Sequence, residues 1–201
     1  MSLFALLPAA GHSTRMGRPK LSLPLGDSTV IEQVIATLRS AGIDRILTVI
    51  GPHVSELVSL STRAGAEALL LANPTQDMRT TIELGLQWIE ANWQPSANDA
   101  FMLVPADHPV LDQAVIRKLV ETESSATIRI PTFDAKRGHP TFIGWKHVAG
   151  IRALPPDVGL NAYLRAHPDA VREVPVDSET VLLDMDTPDD YERIQALFSD
   201  A

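Results

Sequence analysis

Leu3-Phe-Ala-Leu-Leu-Pro-Ala-Ala-Gly-His-Ser-Thr-Arg-Met-Gly-Arg-Pro-Lys20 begins as an apolar run and turns at Pro8 into a small, basic loop. The run is too short for a membrane span or a signal core and has no basic residue ahead of it, so it reads as a buried strand. In the loop, small residues let the backbone approach a ligand closely, and successive N–H groups can cradle phosphate oxygens. Arg15 offers a planar fork and Lys20 a point charge, both suited to a polyphosphate. The spacing is not that of a P-loop, because Gly11 and Gly17 are one residue too far apart and no lysine directly follows the second. The fingerprint G-x-G-x-x-G is absent as well, which weakens a dehydrogenase reading.

Outward from this stretch, strand and helix signals alternate. Ser28 to Ala41 has helical spacing, with Val30, Val34, Ile35 and Leu38 on one face and Gly42 as its stop. Arg45 to Ile50 reads as a strand, Val54 to Ala64 as a helix and Ala68 to Leu71 as a strand. Thr80 to Trp93 is helical, Ala100 to Val104 a strand, Gln113 to Thr122 a helix and Ala126 to Pro131 a strand. Then come a hairpin or loop near Gly138, short helices around Trp145 and Asn161, strands near Val171 and Val181, and a last helix from about Pro188. This alternation predicts an α/β fold, a Rossmann-like three-layer sandwich around a mainly parallel sheet. The absence of a long linker in 201 residues predicts a single domain over 1–201.

The sequence has no cysteine, which excludes a disulfide framework, a thiolate metal site and a cysteine nucleophile. A formal net charge of −8 argues against nucleic-acid and membrane partners. No acid precedes Asp27, and the same stretch carries His12, Arg15, Arg18 and Lys20, as a site for a small anion would.

Two acidic positions stand out. Asp107 follows the strand at 100–104, at the edge where open α/β sheets bind ligands. It equally suits an Asx-turn or a helix cap before Leu111. Asp184 and Asp186 precede Thr187-Pro-Asp-Asp190, which reads as a helix start with acids near its positive end.

The loop Ala9-Ala-Gly-His-Ser-Thr-Arg-Met-Gly-Arg-Pro-Lys20 resembles the A-A-G-x-S-x-R-M-G-x-x-K signature of the molybdenum cofactor nucleotidyltransferases, most closely their cytidylyltransferase branch. Val104-Pro-Ala-Asp-His-Pro-Val110 is similar to the family's G-D-x-P-x-V metal motif, with Ala106 for Gly and His108 where Met is common. Leu182-Leu-Asp-Met-Asp-Thr-Pro-Asp-Asp-Tyr191 resembles D-I-D-T-P-E-D-Y. Asn73 to Gly85 resembles N-P-x-x-x-G-M-x-x-S-I/L-x-x-G, with Asp77 for Gly and Thr81 for Ser; Arg137 to Phe142 is similar to G-R/H-P-x-L/F. Asp157 to Asn161 has a faint likeness to G-D-x-G-A-R but lacks its Arg.

The resemblance implies a nucleotide-diphospho-sugar transferase type of fold, its N-terminal half for the nucleotide and its C-terminal half for the acceptor. It implies nucleotide contacts from Ala9, Ala10, Gly11, His12, Ser13, Arg15, Gly17, Lys20, Asn73, Met78 and Thr81, with Lys20, Arg15 and Asp107 catalytic. Gly138, His139 and Pro140 would face the acceptor. Mg²⁺ would sit on Asp107 and either Asp186 or Asp184, Asp186 being favoured. The implied reaction is transfer of CMP from CTP to a molybdopterin-type phosphate in the cytoplasm, and a molybdoenzyme receiving the product is a candidate partner. GTP or a sugar phosphate as substrate is the alternative within the class. A nucleotide- or cofactor-binding chaperone without catalysis is the alternative outside it.

Overall fold

Strand β1 (Leu3–Ala9) alternates its side chains between two cores. Ala5, Leu7 and Ala9 join one buried cluster, Phe4 and Leu6 the other. The computed structural model describes residues 1–155 and 158–199. In these, β1 is followed by a small hairpin, β2 (Pro24–Leu25) and β3 (Ser28–Thr29), and then by α1 (Val30–Ser40). The chain continues through β4 (Arg45–Ile50), α2 (Leu57–Arg63), β5 (Glu67–Leu70), α3 (Met78–Trp93) and β6 (Ala100–Leu103). Next come α4 (Gln113–Glu121), β7 (Ile128–Phe133), β8 (Lys136–Arg137) and β9 (Thr141–Gly144). Last are α5 (Val148–Arg152), α6 (Leu160–Ala166), β10 (Val171–Pro175) and α7 (Pro188–Ser199).

The sheet runs β10-β7-β9-β6-β1-β4-β5, with β8 folded back on β7. β1 pairs in parallel with β4 and β6, β4 with β5 and β7 with β10, while β9 lies antiparallel between β6 and β7. Helices cover both faces. Val34, Ile35 and Leu38 of α1, Ile116 and Leu119 of α4 and Ile194 of α7 pack on one side. Ile82, Leu86 and Ile89 of α3, with Ile151 of α5 and Leu164 of α6, pack on the other. This is the expected three-layer arrangement around a mainly parallel sheet. α3 approaches the sheet closely at Gly85, where an added Cβ would lie 2.5 Å from a Leu6 methyl and 2.8 Å from one of Val49. α3 therefore rests directly on β1 and β4.

Caps set the helix starts. Thr29 and Glu32 form a capping box on α1, and the Asp77 side chain accepts from the Thr80 backbone N–H of α3 at 2.7 Å. Ser28 thus belongs to the hairpin rather than to the helix expected from it.

Three expectations change. Residues 179–182, read as a strand near Val181, form a 3₁₀ turn whose Val181 carbonyl accepts from His139 N–H at 2.9 Å. The strand expected at 126–131 starts two residues later, as β7. The loop region after Gly138 contains β9, a strand with both neighbours in place. Asp157 lies outside the described residues. Because β9 runs against its neighbours, the residues before it, Gly138 to Pro140, lie at the edge where β1 and β6 end. Among the described residues, no helix is long and apolar enough to cross a membrane.

Candidate active site at the C-terminal edge of the sheet

The loop after β1 is folded by local bonds. Ser13 adopts a left-handed backbone at φ 51°, and a 3₁₀ turn over Thr14–Met16 buries Met16 as an anchor. The Lys20 backbone N–H donates to Ser13 Oγ at 3.3 Å, which closes the loop on itself. Ile31 N–H donates to the Leu21 carbonyl at 3.0 Å, tying the loop's exit to α1. Lys20 is therefore held at both ends of its segment, and its side chain is turned inward with 12% exposure.

Lys20 Nζ donates to Asp107 Oδ2 at 2.7 Å and to Asp186 Oδ1 at 2.8 Å. Arg15 reaches the second Asp186 oxygen at 2.6 Å. Arg15 is 68% exposed, so this outer pair adds little stability and serves to orient. Asp107 comes from the end of β6 and Asp186 from the segment before α7. Thr187 and Asp190 form a reciprocal cap there, Thr187 N–H donating to Asp190 at 2.9 Å and Asp190 N–H to Thr187 Oγ1 at 3.2 Å. Asp186 N–H also donates to Asp190, at 3.2 Å. Asp190 is thus helix-terminal, as the sequence suggested, and it fixes the backbone beneath Asp186.

The electrostatics follow from this layout. Burial alone would lower the Lys20 pKa, but the charges and hydrogen bonds of Asp107 and Asp186 outweigh it and hold the ammonium above its ordinary value. Burial would raise Asp186, yet the Lys20 hydrogen bond and the Lys20 and Arg15 charges hold it below the usual carboxylate range. Asp184 lies exposed at the rim, and Lys20 does not reach it. Partial loss of hydration, followed by the charges of Asp186 and Asp107, pushes it up.

Arg15, Lys20, Asp107 and Asp186 line a cavity of about 210 Å³ with Ala9, Gly11, Ser13 and Met78, whereas Asp184 lines a different one. Ala10 is buried beside it, while His12 is exposed and stacks on His53, with ring centroids 3.9 Å apart. His53 in turn contacts the Gly11 carbonyl at 3.2 Å, a brace with no signal in the sequence. Gly17 caps the 3₁₀ turn, and Arg18 is turned away over the Tyr191 ring at 5.6 Å. Asn73 is exposed and outside the lining. Thr81 is buried, its hydroxyl engaged by Thr75 at 2.7 Å and the Asp77 carbonyl at 3.2 Å, so it too stands apart from the cavity.

A second cavity of about 310 Å³ adjoins the first, since Pro8 and Met78 line both. His139 lines it, whereas Gly138 is packed against Val181. The rings of His139 and His108 meet edge to face at 5.0 Å, and both Nδ1 atoms are buried without a partner. Burial, then the neighbouring imidazole, lowers His139 to about 4. Burial lowers His108 in the same way.

Among the described residues, no group of three or more His, Asp and Glu is arranged to hold a metal by itself. Asp107 and Asp186 nevertheless bracket one cation, the Lys20 ammonium, from two sides. A carboxylate pair open to further oxygen ligands suits Mg²⁺ or Mn²⁺, which take one or two carboxylates and fill up with substrate phosphates.

The layers and the sheet order are those of the nucleotide-diphospho-sugar transferase fold. The chain belongs to the MobA-like NTP transferase domain family, whose model matches residues 5–171. A probable molybdenum cofactor guanylyltransferase of Carboxydothermus hydrogenoformans is 24% identical over 206 residues, covering 98% of each chain. The bifunctional protein GlmU of Synechococcus sp. (strain CC9311) is 31% identical over 140 residues, 68% of this chain. The chain spans only 29% of that relative's length. The manganese complex of Rv0371C from Mycobacterium tuberculosis H37Rv matches with a TM-score of 0.77 at 25% identity, over 98% of this chain and 99% of that one.

Proposed function

We propose that this chain transfers a nucleotidyl group, CMP from CTP, to the phosphate of a molybdopterin-type acceptor with release of pyrophosphate. The observation that carries the reading is Lys20 Nζ held between Asp107 and Asp186 at 2.7 and 2.8 Å beneath the basic loop. In this reading 1–201 is one domain, its N-terminal half taking the nucleotide and its C-terminal half the acceptor. An acceptor phosphate oxygen attacks the α-phosphorus as the α–β bridging bond breaks, and the electron pair leaves with pyrophosphate. The loop backbone from Ala9 to Gly17 lies along the phosphate chain. Lys20 and Arg15 leave the carboxylates to neutralise phosphate oxygens as charge moves toward the leaving group. A divalent ion on Asp107 and Asp186 would add Lewis-acid charge at the α-phosphate.

Two features bear on the base choice. The resemblance implies Gly-Gly in the guanylyl branch where this chain has Ala9-Ala10 or Ala10-Gly11; Ala9 lines the cavity, and a Cβ there crowds a purine more than a pyrimidine. Asp77 weighs the other way: Thr80 N–H and Oγ, at 2.7 and 2.8 Å, both donate to Oδ1 of this exposed carboxylate, and Oδ2 is left open to a base edge. The guanylyl alternative is favoured by the name of the Carboxydothermus relative.

The test is thermal shift with CTP, GTP, ATP and UTP, each with and without Mg²⁺, because a ligand bound to the folded state raises its melting temperature. The expected result is the largest rise with CTP plus Mg²⁺, with pyrophosphate released once molybdopterin is added. A larger rise with GTP would transfer the assignment to guanylyl transfer. Binding without pyrophosphate release would favour a cofactor-handling chaperone.

A further inference from the structure

β1 and β4 are neighbours in the sheet, with Ala9 opposite Ile50, so the turns that follow them leave the edge side by side. Gly51 lets these turns interlock. An added Cβ there would lie 2.6 Å from His53 Cε1 and 3.2 Å from the Ala10 Cα. The His53 ring takes that space and stacks on His12, with centroids 3.9 Å apart and planes 13° from parallel. The Gly11 carbonyl can only accept, so its 3.2 Å contact with His53 requires a proton on Nε2. Gly11 lines the first cavity, whereas neither imidazole does. Its carbonyl is thus drawn to a partner that stands outside the lining. Nothing else holds that peptide. Apart from its chain neighbours, no atom lies within 4 Å of where a Gly11 Cβ would be. Among the described residues, no hydrogen bond engages the His12 N–H. A glycine so unconfined can turn its peptide over at little steric cost.

We propose that His53 is a positioning residue for the triphosphate, whose Nε2–H holds the Gly11 carbonyl away from the path of the phosphates. The proposal rests on the reading in which the loop backbone from Ala9 to Gly17 lies along the phosphate chain. A carbonyl oxygen carries partial negative charge and repels a phosphate, whereas a backbone N–H attracts one. The two groups lie on opposite sides of a trans peptide, and the bond between Gly11 and His12 is trans. The orientation that points the oxygen at His53 therefore points the His12 N–H away from it. Turning this peptide over would put an acceptor where a donor had been, beside the same anion. His53 decides between the two without touching a phosphate itself, and the stacked His12 ring keeps the imidazole in the plane that the contact needs.

The experiment is calorimetric titration with CTP and with inorganic tripolyphosphate, each with Mg²⁺; the second ligand has phosphates and no base. His53 is exposed, so its variants leave the core intact. His53→Phe keeps a ring for the stack and loses the donor. His53→Gln loses the ring but carries an amide N–H that can stand where Nε2 stood. His53→Phe should weaken both ligands about tenfold, the scale of one lost hydrogen bond to a charged group, while His53→Gln stays within about threefold of the parent. Equal melting temperatures of the two variants without ligand exclude a folding defect as the cause. Parent-like affinity in His53→Phe, a loss confined to CTP, or an equal loss in His53→Gln overturns the positioning role. The expected losses in a protein that releases no pyrophosphate keep the role and remove the transfer reading. Pyrophosphate release by the parent with unaltered binding in His53→Phe does the reverse, and a parent that binds neither ligand overturns both.

Discussion

Met185 donates its backbone N–H to the Asp107 carbonyl at 2.9 Å. This one bond joins the segment after β6 to the segment before α7, and Met185 itself is fully buried. Asp107 and Asp186 thus face Lys20 from positions set by backbone, which keeps the site in place when one side chain changes.

Lys20→Ala is expected to reduce turnover by at least about a hundredfold, the usual scale for losing one preorganised charge. It also leaves Asp107 and Asp186 facing each other without their shared ammonium. The variant should melt lower than the parent in metal-free buffer and gain more from added Mn²⁺ or Mg²⁺. Melting curves with and without the ions, alongside a pyrophosphate assay, check both halves. A variant indifferent to the ions would argue against a cation between these carboxylates.

Asp107→Asn keeps the shape and the backbone bond from Met185 but removes the charge. Lys20 retains Asp186, so melting should shift by only a few degrees. Turnover should fall by about two orders of magnitude or more, and stabilisation by divalent ions should largely disappear. Full turnover in this variant would remove Asp107 from the mechanism.

His139 gives a pH signature. Burial and the adjacent His108 ring hold its pKa at about 4, against an ordinary value of 6.5. Between those two values the unfolded chain binds a proton that the folded chain does not, so stability falls as pH drops through this window. The contribution is at most about 3 kcal/mol. His139→Gln should flatten the decline in unfolding free energy between pH 6.5 and 4 measured by denaturant titration. Parallel curves for variant and parent would contradict the assignment.

Gly138→Ala tests the packing that sets the acceptor-side loop. An added Cβ would lie 2.4 Å from the Val181 carbonyl oxygen and 2.7 Å from the Val181 Cβ, with backbone as the obstacle. Destabilisation on the order of 1–3 kcal/mol is expected, read as a shift of the urea midpoint. An unchanged midpoint would mean that the 179–182 turn gives way freely.

Most of the parallel sheet was legible because its strands are largely apolar runs set between helical repeats. β9 was not, because Thr141-Phe-Ile-Gly144 runs from the Gly138 loop straight into a 3₁₀ turn at Trp145, with no helical repeat on its near side to set it apart. Val181 misled for the opposite reason: it is β-branched and buried, yet its turn makes no ladder and packs instead on Gly138. The meeting of Lys20 with Asp107 could be anticipated, since β1 and β6 are parallel and end at one edge; Asp186 was expected there after a strand near Val181, and it arrives instead after a 3₁₀ turn. Thr81 could be mistaken for a ligand because a hydroxyl engaged by Thr75 looks the same in sequence as a free one. His53 could not be anticipated at all, for its hydrogen-bond partner is a backbone carbonyl, which every residue carries.

The reversed strand β9 has a consequence for the chain as it is made. β6 is paired on one side as soon as β1 is present, but its other side waits for residues 141–144. β7, though made first, cannot fill the gap, because β9 must lie between them. A nascent chain that has emerged only to about residue 140 therefore exposes the unpaired edge of a strand whose four residues are all buried in the finished protein. Slow translation just before that point would prolong the interval in which such an edge can pair with another chain, whereas a short pause after Gly144 has emerged would let the sheet close first.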